Sequence, residues 1–309
     1  MTLRVLFIAR EKNNNTPGSV VLNQANSIKK NDIEISFFLI QKGGFFGYLN
    51  AIIKLLRTKT DQYDIIHAHY GLCGIIASLS FKRKLVVSLM GSDILSSSKY
   101  SLRTYRFLSN NKWYQTIVKT TEMGNVLNAK KYRIIPNGVD TGLFKPIDYF
   151  EAKKRLNLPF KVSYVLFVGD PRRIEKNYTL AKKVTDKLKS NNITLLVAHG
   201  ISTDEMPYYY NVSHCLLVTS HYEGSMNAIK EAMACNIPIL STDVGDARQN
   251  IEGLEFNEII PTDIDVIATK IKLLCKNLSR NQARERIFEK KLDAESVSNE
   301  IIELYKNVG

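Results

Sequence analysis

The densest group of residues able to do chemistry lies in segment 220–234, where seven residues separate two glutamates, Glu223 and Glu231. The segment follows an apolar run, Cys215–Thr219, and leads into a helical pattern whose first turn lies near Ser225–Asn227. First-turn amides are unpaired and lie at the positive end of the helix dipole, so they suit a phosphate or sugar hydroxyls. Glu223 stands beside that site, and Glu231 can accept hydrogen bonds from a diol such as a ribose. Taken singly, Glu223 is better explained as an N-terminal capping carboxylate, and Glu231 as a residue of a solvated helix face.

Three cations stand in a second segment, Gly169–Asn177, which also follows an apolar strand pattern. Arg172, Arg173 and Lys176 would converge beside a strand-end turn. There they would neutralise a pyrophosphate and stabilise it as a leaving group. The alternative is a surface ion-pair cluster with Glu175, which is the commoner fate of a charged run.

Both halves of the chain repeat one pattern, in which short β-rich apolar runs precede segments of helical period. This pattern is typical of βαβ units and predicts an α/β fold with two doubly wound domains. Ligands of such sheets bind at the carboxyl ends of the strands, so the cleft between the domains is the expected site. The predicted strands are Leu3–Ala9, Ile35–Ile40, Ile65–Ala68, Leu85–Leu89, Thr116–Lys119, Arg133–Pro136, Ser163–Gly169, Ile193–Gly200, Cys215–Thr219 and Ile237–Ser241. The predicted helices are Ser19–Lys30, Tyr178–Lys189, Met226–Cys235, Asp263–Lys276 and one from Arg280 to the C-terminus.

Length and charge fit this two-domain organisation. The 309 residues suit two domains of roughly 100–200 residues each. They are predicted at 1–146 and 160–309, with the C-terminal helix packing back on the first. Residues 1–150 hold 21 Lys+Arg against 9 Asp+Glu, whereas residues 151–309 hold 22 against 21. A positive field confined to the first half indicates an anionic partner: nucleic acid, a phospholipid surface or a phosphorylated substrate.

The sequence carries no targeting or metal-binding pattern. No run reaches the ~18 apolar residues of a spanning helix, and the first strand runs into Arg10 and Glu11 instead of forming a signal-peptide core. The four cysteines are scattered, so neither a zinc knuckle nor a disulfide framework is indicated. The expected location is the cytoplasm.

Several motifs carry a family resemblance. The two glutamates stand in Tyr-Glu-Gly-Ser-x-Asn-x-x-x-Glu-Ala-Met-Ala, which resembles the E-x7-E motif of retaining glycosyltransferases of family 4. Cys235–Asp246, Ile135–Asp140 and Asp64–His69 are similar to further motifs of that family. The resemblance implies a GT-B fold, with two Rossmann-like doubly wound domains facing a central cleft. It places a nucleotide-sugar donor in the C-terminal domain and the acceptor in the N-terminal domain.

The resemblance also implies roles for the donor-side residues. Glu231 would hold the ribose, Arg173 and Lys176 the diphosphate, and Glu223 with the amides of 224–227 the donor sugar. Glu223, Arg173 and Lys176 are the predicted catalytic residues, with no metal and no cofactor other than a UDP- or GDP-sugar co-substrate. The full predicted donor site comprises Gly18, Gly169, Arg172, Arg173, Lys176, Glu223, Gly224, Ser225, Met226, Asn227 and Glu231.

On the acceptor side, Leu89–Asp93 resembles the family's H-G-x-D turn, but Met90 stands where the family has histidine. Asp93 is predicted to bind a sugar hydroxyl or the acceptor, with a helix N-cap as the alternative. His69 is a second predicted acceptor residue. His67 shares its strand face, but the sequence shows no third ligand for a metal.

Two segments of the basic half, Lys42–Arg57 and Lys99–Tyr114, interleave cations with aromatic side chains. This is the composition of a helix that docks at an anionic membrane surface. The alternative is that the apolar residues of 52–56 are ordinary helix core. Nucleic acid is a rival partner for the charge, but no nucleic-acid-binding motif is present.

The expected function is therefore transfer of a hexose-type sugar from a nucleoside-diphosphate sugar to a lipid-linked saccharide in bacterial surface-polysaccharide or lipopolysaccharide synthesis. Within the cytoplasm, peripheral association with the inner face of the cell membrane is expected in addition. A sugar-nucleotide epimerase and a non-catalytic basic adaptor for membrane or nucleic acid remain as alternatives. The sequence leaves open the donor base, the sugar, the acceptor, the effect of Met90 and the oligomeric state.

Overall fold

The computed structural model describes residues 2–13, 15–29, 32–41, 43–80, 84–276 and 278–308. Lys42, and the side chain of Phe45, lie outside the described residues. The chain divides into two units. The first comprises Met1–Gly138 and Ala294–Gly309, and the second comprises Val139–Asp293.

The first unit is built on a seven-stranded sheet. Its strands are β1 (Leu3–Asn13), β2 (Thr16–Pro17), β3 (Ile33–Ile40), β4 (Ile65–His69), β5 (Leu85–Ser88), β6 (Gln115–Val118) and β7 (Arg133–Ile134). The order is β3-β1-β4-β5-β6-β7, all parallel, and the short β2 pairs antiparallel with the end of β1. The strand order reverses between β1 and β4, which is the position where doubly wound sheets bind ligands.

Helices cover both faces of this sheet. They are α1 (Ser19–Lys29), α2 (Gly44–Arg57), α3 (Gly71–Ser80), α4 (Ser92–Leu95), α5 (Lys99–Asn111), α6 (Thr121–Leu127) and, from the end of the chain, α14 (Ala294–Val308). Successive side chains of β1 point to opposite faces, so Val5 and Phe7 pack against α1 and α14, while Leu6 and Ile8 pack against α2 and α3. A strand that is buried on both faces has a continuous run of apolar residues. This run is why the sequence pattern predicted β1.

The second unit holds a five-stranded parallel sheet in the order β12-β11-β10-β8-β9. Its strands are β8 (Ser163–Val168), β9 (Ile193–Ala198), β10 (Ser213–Val218), β11 (Ile239–Ser241) and β12 (Asn257–Ile259). Its helices are α7 (Tyr149–Arg155), α8 (Tyr178–Lys187), α9 (Met206–Asn211), α10 (Asn227–Ala234), α11 (Ala247–Ile251), α12 (Ile264–Lys276) and α13 (Ala283–Glu289). The strand order reverses between β8 and β10. The predicted α/β class with two Rossmann-like sheets is confirmed.

The predicted single helix from Arg280 to the C-terminus is wrong, because the structure divides it into α13 and α14. Lys291 adopts a left-handed φ of 53°. The Leu292 amide donates to the Ile287 carbonyl at 2.8 Å, and the Lys291 amide donates to the Phe288 carbonyl at 3.0 Å. This is a Schellman ending, in which lysine takes the position usually held by glycine.

None of the helices in the described ranges is both long and apolar enough to cross a bilayer.

Candidate functional site

At the strand reversal of the second unit, the loop after β8 meets the loop after β10. Gly169 directly follows β8 and has a φ of 138°, which favours glycine. A Cβ at this position would lie 3.2 Å from Cε of Lys176, so the lysine stem lies across the glycine. The Thr219 hydroxyl donates to the carbonyls of Lys176 and Asn177 at 3.0 Å each, which joins the two loops.

This arrangement brings together Lys176 and Glu223, two of the predicted catalytic residues. Lys176 Nζ lies 2.7 Å from Glu223 Oε1, and the two side chains are 12% and 15% exposed. The Ser220 hydroxyl donates to the same carboxylate oxygen at 2.9 Å. Open α/β sheets bind ligands in a crevice at the strand reversal, which is where this pair lies. A largely desolvated ion pair at that position is suited to exchange its partner for a bound phosphate.

The two arginines of the predicted diphosphate site have other partners in the structure. Arg172, 82% exposed, pairs with Asp170 at 2.8 Å, and its hydrogen bonds hold the pKa of that carboxyl well below its usual range. Arg173 pairs with Glu175 at 2.5 Å and is half-exposed. In the structure, both arginines therefore form surface ion pairs, as the alternative interpretation of this segment predicted. Lys176 is the cation that lies inside the crevice.

The N-terminus of α10 is occupied by a carboxylate of the chain itself. Asp246 accepts hydrogen bonds from the Ser225 hydroxyl at 2.7 Å and from the Met226 amide at 3.2 Å. The ammonium of Lys230, 0% exposed, lies 3.3 Å from the same carboxylate and also donates to Ser225. The Met226 amide is therefore already hydrogen-bonded. In this arrangement it is not available for the predicted binding of the donor sugar by the amides of 224–227.

Close backbone packing holds Asp246 in place. Gly245 has a left-handed φ of 55°, and any Cβ there would collide with the carbonyl of Gly224. Sequence reasoning missed both Asp246 and Lys230. Lys230 could have been found from the sequence, because it lies on an otherwise apolar helix face, directly before Glu231. A lysine buried on such a face needs a carboxylate partner.

Replacing Asp246 with asparagine is expected to destabilise the protein by about 3–5 kcal/mol, because it leaves the Lys230 charge buried without a counter-charge. Urea unfolding measures the loss. The double replacement Lys230→Met/Asp246→Leu, which removes both charges, should recover most of it. An Asp246→Asn protein as stable as wild type would contradict the buried-pair assignment.

Glu231, the predicted ribose ligand, is half-buried rather than on a solvated helix face. The hydroxyl of Tyr210, itself fully buried, donates to Glu231 Oε2 at 2.6 Å. Burial raises the pKa of Glu231, although the Tyr210 hydrogen bond and the Lys230 charge oppose the rise. One turn earlier on α10, Asn227 Oδ1 is buried with no hydrogen-bond partner among the described residues. Tyr210 is a site residue that the sequence reasoning missed.

The first unit has a pocket of about 500 Å³ at its own strand reversal, beside the ends of β1 and β4. The predicted donor residue Gly18 and the predicted acceptor residue His69 both line it, and Met90 forms part of the wall. Tyr70 also lines the pocket. Its φ of 87° is a strained value for a residue with a bulky side chain. Other lining residues are Arg10, Lys12 and Ser19.

His69 lies against this pocket as a buried, uncharged ring. It is 2% exposed, and its ring stacks on that of His67 at a centroid distance of 4.2 Å. Burial, aided by the charge of Lys119, lowers the pKa of His69 to about 3. His67 is hydrogen-bonded to Tyr305 and Ser88. In the part of the chain that the structure describes, no three His, Cys, Asp or Glu side chains are grouped to hold a metal ion.

Asp93, the other predicted acceptor residue, is buried and forms hydrogen bonds to backbone amides. Its carboxylate accepts hydrogen bonds from the amides of Gly71, Met90 and Gly91 at 2.8–2.9 Å. Burial raises its pKa against the effect of these bonds. The alternative prediction of a helix N-cap is wrong, because Asp93 lies within α4 and the N-cap of that helix is Gly91. A role of Asp93 in acceptor binding stays a prediction.

Helix α2 exposes an apolar stripe, formed by Phe46, Leu49, Ile53 and Leu56 at helical spacing. Phe46 is 82% exposed. The opposite face packs into the core through Ala51 and Leu55, so the core interpretation of residues 52–56 holds for only part of that segment. Exposed Lys54 and Arg57 lie beside the stripe, and α5 exposes Tyr100 and Phe107 in addition.

Comparisons with known proteins bear on both units. Residues 151–277 match the family model described as "Glycosyl transferases group 1". This range contains the β8 and β10 loops, Tyr210, Glu231 and the Lys230–Asp246 pair.

Among curated relatives, a putative teichuronic acid biosynthesis glycosyltransferase, TuaC of Bacillus subtilis, is 23% identical over 63% of this chain and 57% of its own length. A D-inositol 3-phosphate glycosyltransferase of Acidothermus cellulolyticus is 21% identical over 59% of this chain and 53% of its own. The chain thus spans about half the length of these relatives. Anabaena HepE, solved with UDP-glucose, superposes with a TM-score of 0.75 at 17% identity, covering 99% of this chain and 100% of HepE. The chain therefore has a GT-B fold, and its residues 151–277 are similar to the glycosyl transferases group 1 family.

Proposed function

We propose that the chain is a retaining glycosyltransferase that moves a sugar from a UDP- or GDP-sugar to a lipid-linked saccharide in surface-polysaccharide assembly. The observation that carries the proposal is the pair Lys176–Glu223, at 2.7 Å, in the strand-reversal crevice of the matched domain. Glu231 lies on the helix that follows the Glu223 loop.

Each of these residues suits one part of a nucleoside-diphosphate sugar. The Glu231 carboxylate, oriented by Tyr210, accepts hydrogen bonds from the ribose diol. Lys176 exchanges Glu223 for the diphosphate and stabilises the charge that develops as the diphosphate leaves. Glu223, released from that pair, accepts from hydroxyls of the donor sugar.

The names of similar proteins support the same substrate classes. HepE is solved with UDP-glucose, TuaC is named for teichuronic acid biosynthesis, and the Acidothermus relative is named for a phosphorylated acceptor. The Lys176 ammonium takes the place of the metal ion with which other transferases neutralise the charge of the diphosphate. We assign no enzymatic nucleophile, and departure and attack occur on the same face of the sugar.

The proposal is tested by transfer to a synthetic polyprenyl-diphosphate saccharide from a panel of UDP- and GDP-sugars. One donor is expected to give a longer lipid-linked saccharide with the anomeric configuration of the donor, as read by NMR. The rate should be unchanged by EDTA. Inversion at the anomeric carbon would overturn the retaining assignment, and no product with any donor would overturn the transferase assignment.

We infer further that the apolar stripe of α2 docks on an anionic bilayer, which brings the first unit to a lipid-linked acceptor. Charge supports this partner, because residues 42–112 hold eleven lysines and arginines against three aspartates. An exposed apolar helix face flanked by cations matches an interfacial anchor.

Serine at both Ile53 and Leu56 is expected to weaken binding to anionic phospholipid vesicles at least tenfold, because two apolar anchors are lost. Vesicle flotation measures the binding. The matched control is Leu273→Ser, which removes an exposed leucine from α12 of the second unit. Equal flotation of the stripe variant and this control would refute the anchor.

A further inference from the structure

The Thr219 hydroxyl lies in the second unit, beside the loop that carries Lys176, and the proposed function gives it no role. Thr219 directly follows β10 and is 1% exposed. Its hydroxyl lies 3.0 Å from the carbonyl oxygens of both Lys176 and Asn177, which makes a three-centre hydrogen bond. Asn177, with a left-handed φ of 49°, ends the short 3-10 helix to which Lys176 belongs. Thr219 therefore holds the backbone of Lys176 just before α8 begins.

Lys176 is restrained at three places along its length. Its backbone carbonyl accepts from Thr219, its stem lies across Gly169, and its ammonium pairs with Glu223 at 2.7 Å. When a diphosphate displaces Glu223, the ammonium loses the restraint of that ion pair. The contact with Gly169 and the hydrogen bond from Thr219 remain. Because lysine has a flexible four-carbon stem, the place of its backbone then decides where the ammonium lies.

We propose that Thr219 is a positioning residue, whose hydroxyl fixes the backbone of Lys176 so that the ammonium stays at the leaving diphosphate after Glu223 is displaced. The inference rests on the proposed function for the leaving diphosphate, whereas the restraint on Lys176 stands on contacts within the second unit. A charge-stabilising group accelerates a reaction most when it is held in place beforehand. Binding of the ground-state diphosphate tolerates a displaced ammonium better, because charge attraction falls slowly with distance. Loss of the hydroxyl should therefore lower kcat and leave KM nearly unchanged.

Initial rates of sugar transfer test the proposal with Thr219→Val, which replaces the hydroxyl with a methyl group of similar size. We expect kcat to fall about tenfold, the effect of one hydrogen bond on the transition state, with little change in the KM for the donor. The His221 amide, which donates to the Glu175 carbonyl at 2.8 Å, still joins the two loops in this variant. Thermal unfolding checks the fold. If Thr219→Val does not fold, Thr219→Ala, which leaves the two carbonyls room for water, replaces it.

Two further variants show whether the effect belongs to this hydroxyl. Thr185→Val removes another buried threonine hydroxyl of the second unit, which donates to the carbonyls of Ala181 and Lys182 at 3.0 and 3.2 Å within α8. It should keep the wild-type kcat. Thr219→Ser retains the hydroxyl and should recover most of the rate that Thr219→Val loses. Equal losses of kcat in Thr185→Val and Thr219→Val would overturn the positioning role.

A double-mutant cycle with Lys176→Gln shows whether Thr219 acts through Lys176. In the Lys176→Gln background, Thr219→Val is expected to change kcat by less than about twofold, because the charge to be positioned is already absent. Fully additive losses of kcat would overturn the proposal, since the hydroxyl would then act by another route.

Acetylation of Lys176 separates this inference from the proposed function, because the measurement needs no substrate. The Lys176 ammonium is ion-paired and its side chain is 12% exposed, so slow reaction with acetic anhydride is expected in the wild-type protein. Peptide mass spectrometry should show several times faster acetylation in Thr219→Val and the wild-type rate in Thr185→Val. Unchanged acetylation in Thr219→Val would overturn the restraint on Lys176. A wild-type protein that transfers no sugar would reject the proposed function, and acetylation would still decide whether Thr219 holds Lys176.

Discussion

Replacing Glu231 with alanine is expected to weaken nucleoside-diphosphate binding about a hundredfold. The proposed ribose contact uses hydrogen bonds to a carboxylate, and losing about 3 kcal/mol of such bonds changes Kd by that factor. Isothermal titration calorimetry with the nucleotide that binds wild type measures the effect.

Two variants show whether this effect is specific. Glu255→Ala removes an exposed carboxylate of the same unit and should leave Kd unchanged. Tyr210→Phe removes the hydroxyl that orients Glu231 and should raise Kd less than Glu231→Ala does, since the carboxylate remains. The ribose assignment fails if Glu231→Ala binds the nucleotide as tightly as Glu255→Ala does.

Replacing Lys176 with glutamine is expected to lower kcat about 10²–10³-fold, the usual loss when one charge-stabilising group is removed from the transition state. The substitution keeps most of the side-chain length across Gly169, so the loop packing is retained. Initial rates at saturating donor measure the loss, and thermal unfolding checks that the fold is intact.

The matched control for this prediction is Lys182→Gln on α8. Lys182 is half-exposed and pairs with Asp186 at 2.7 Å, outside the crevice. It should keep the wild-type kcat. If Lys176→Gln also keeps the wild-type kcat, then Lys176 does not stabilise the leaving diphosphate.

The fold was predictable because parallel strands buried on both faces leave continuous apolar runs in the sequence. The eleven-residue β1 and the six-residue β8 are examples. The break between α13 and α14 was not predictable, because Lys291 rather than glycine adopts the left-handed conformation that ends α13. The three-residue β12 is too short to show a pattern.

For the candidate site, local spacing identified residues but not their partners. The segment containing Lys176 and the segment containing Glu223 were each recognisable in the sequence, and the parallel sheet brings their strand ends together. Lys230 pairs with Asp246, and Tyr210 pairs with Glu231. Each pair joins two separate elements through a tertiary contact, and the spacing of residues in one sequence does not show such contacts. The burial of the His69 ring likewise depends on packing in three dimensions.

The most direct test of the central claim, that the second unit binds a nucleoside-diphosphate sugar, is thermal unfolding with UDP, GDP, ADP and CMP, each alone. A ligand at a hundred times its Kd adds about 2.7 kcal/mol to the free energy of unfolding, which raises Tm by several degrees. One of the diphosphates is expected to stabilise the wild-type protein in this way and to identify the donor base. No shift with any of the four nucleotides would contradict the assignment of the second unit as a donor site.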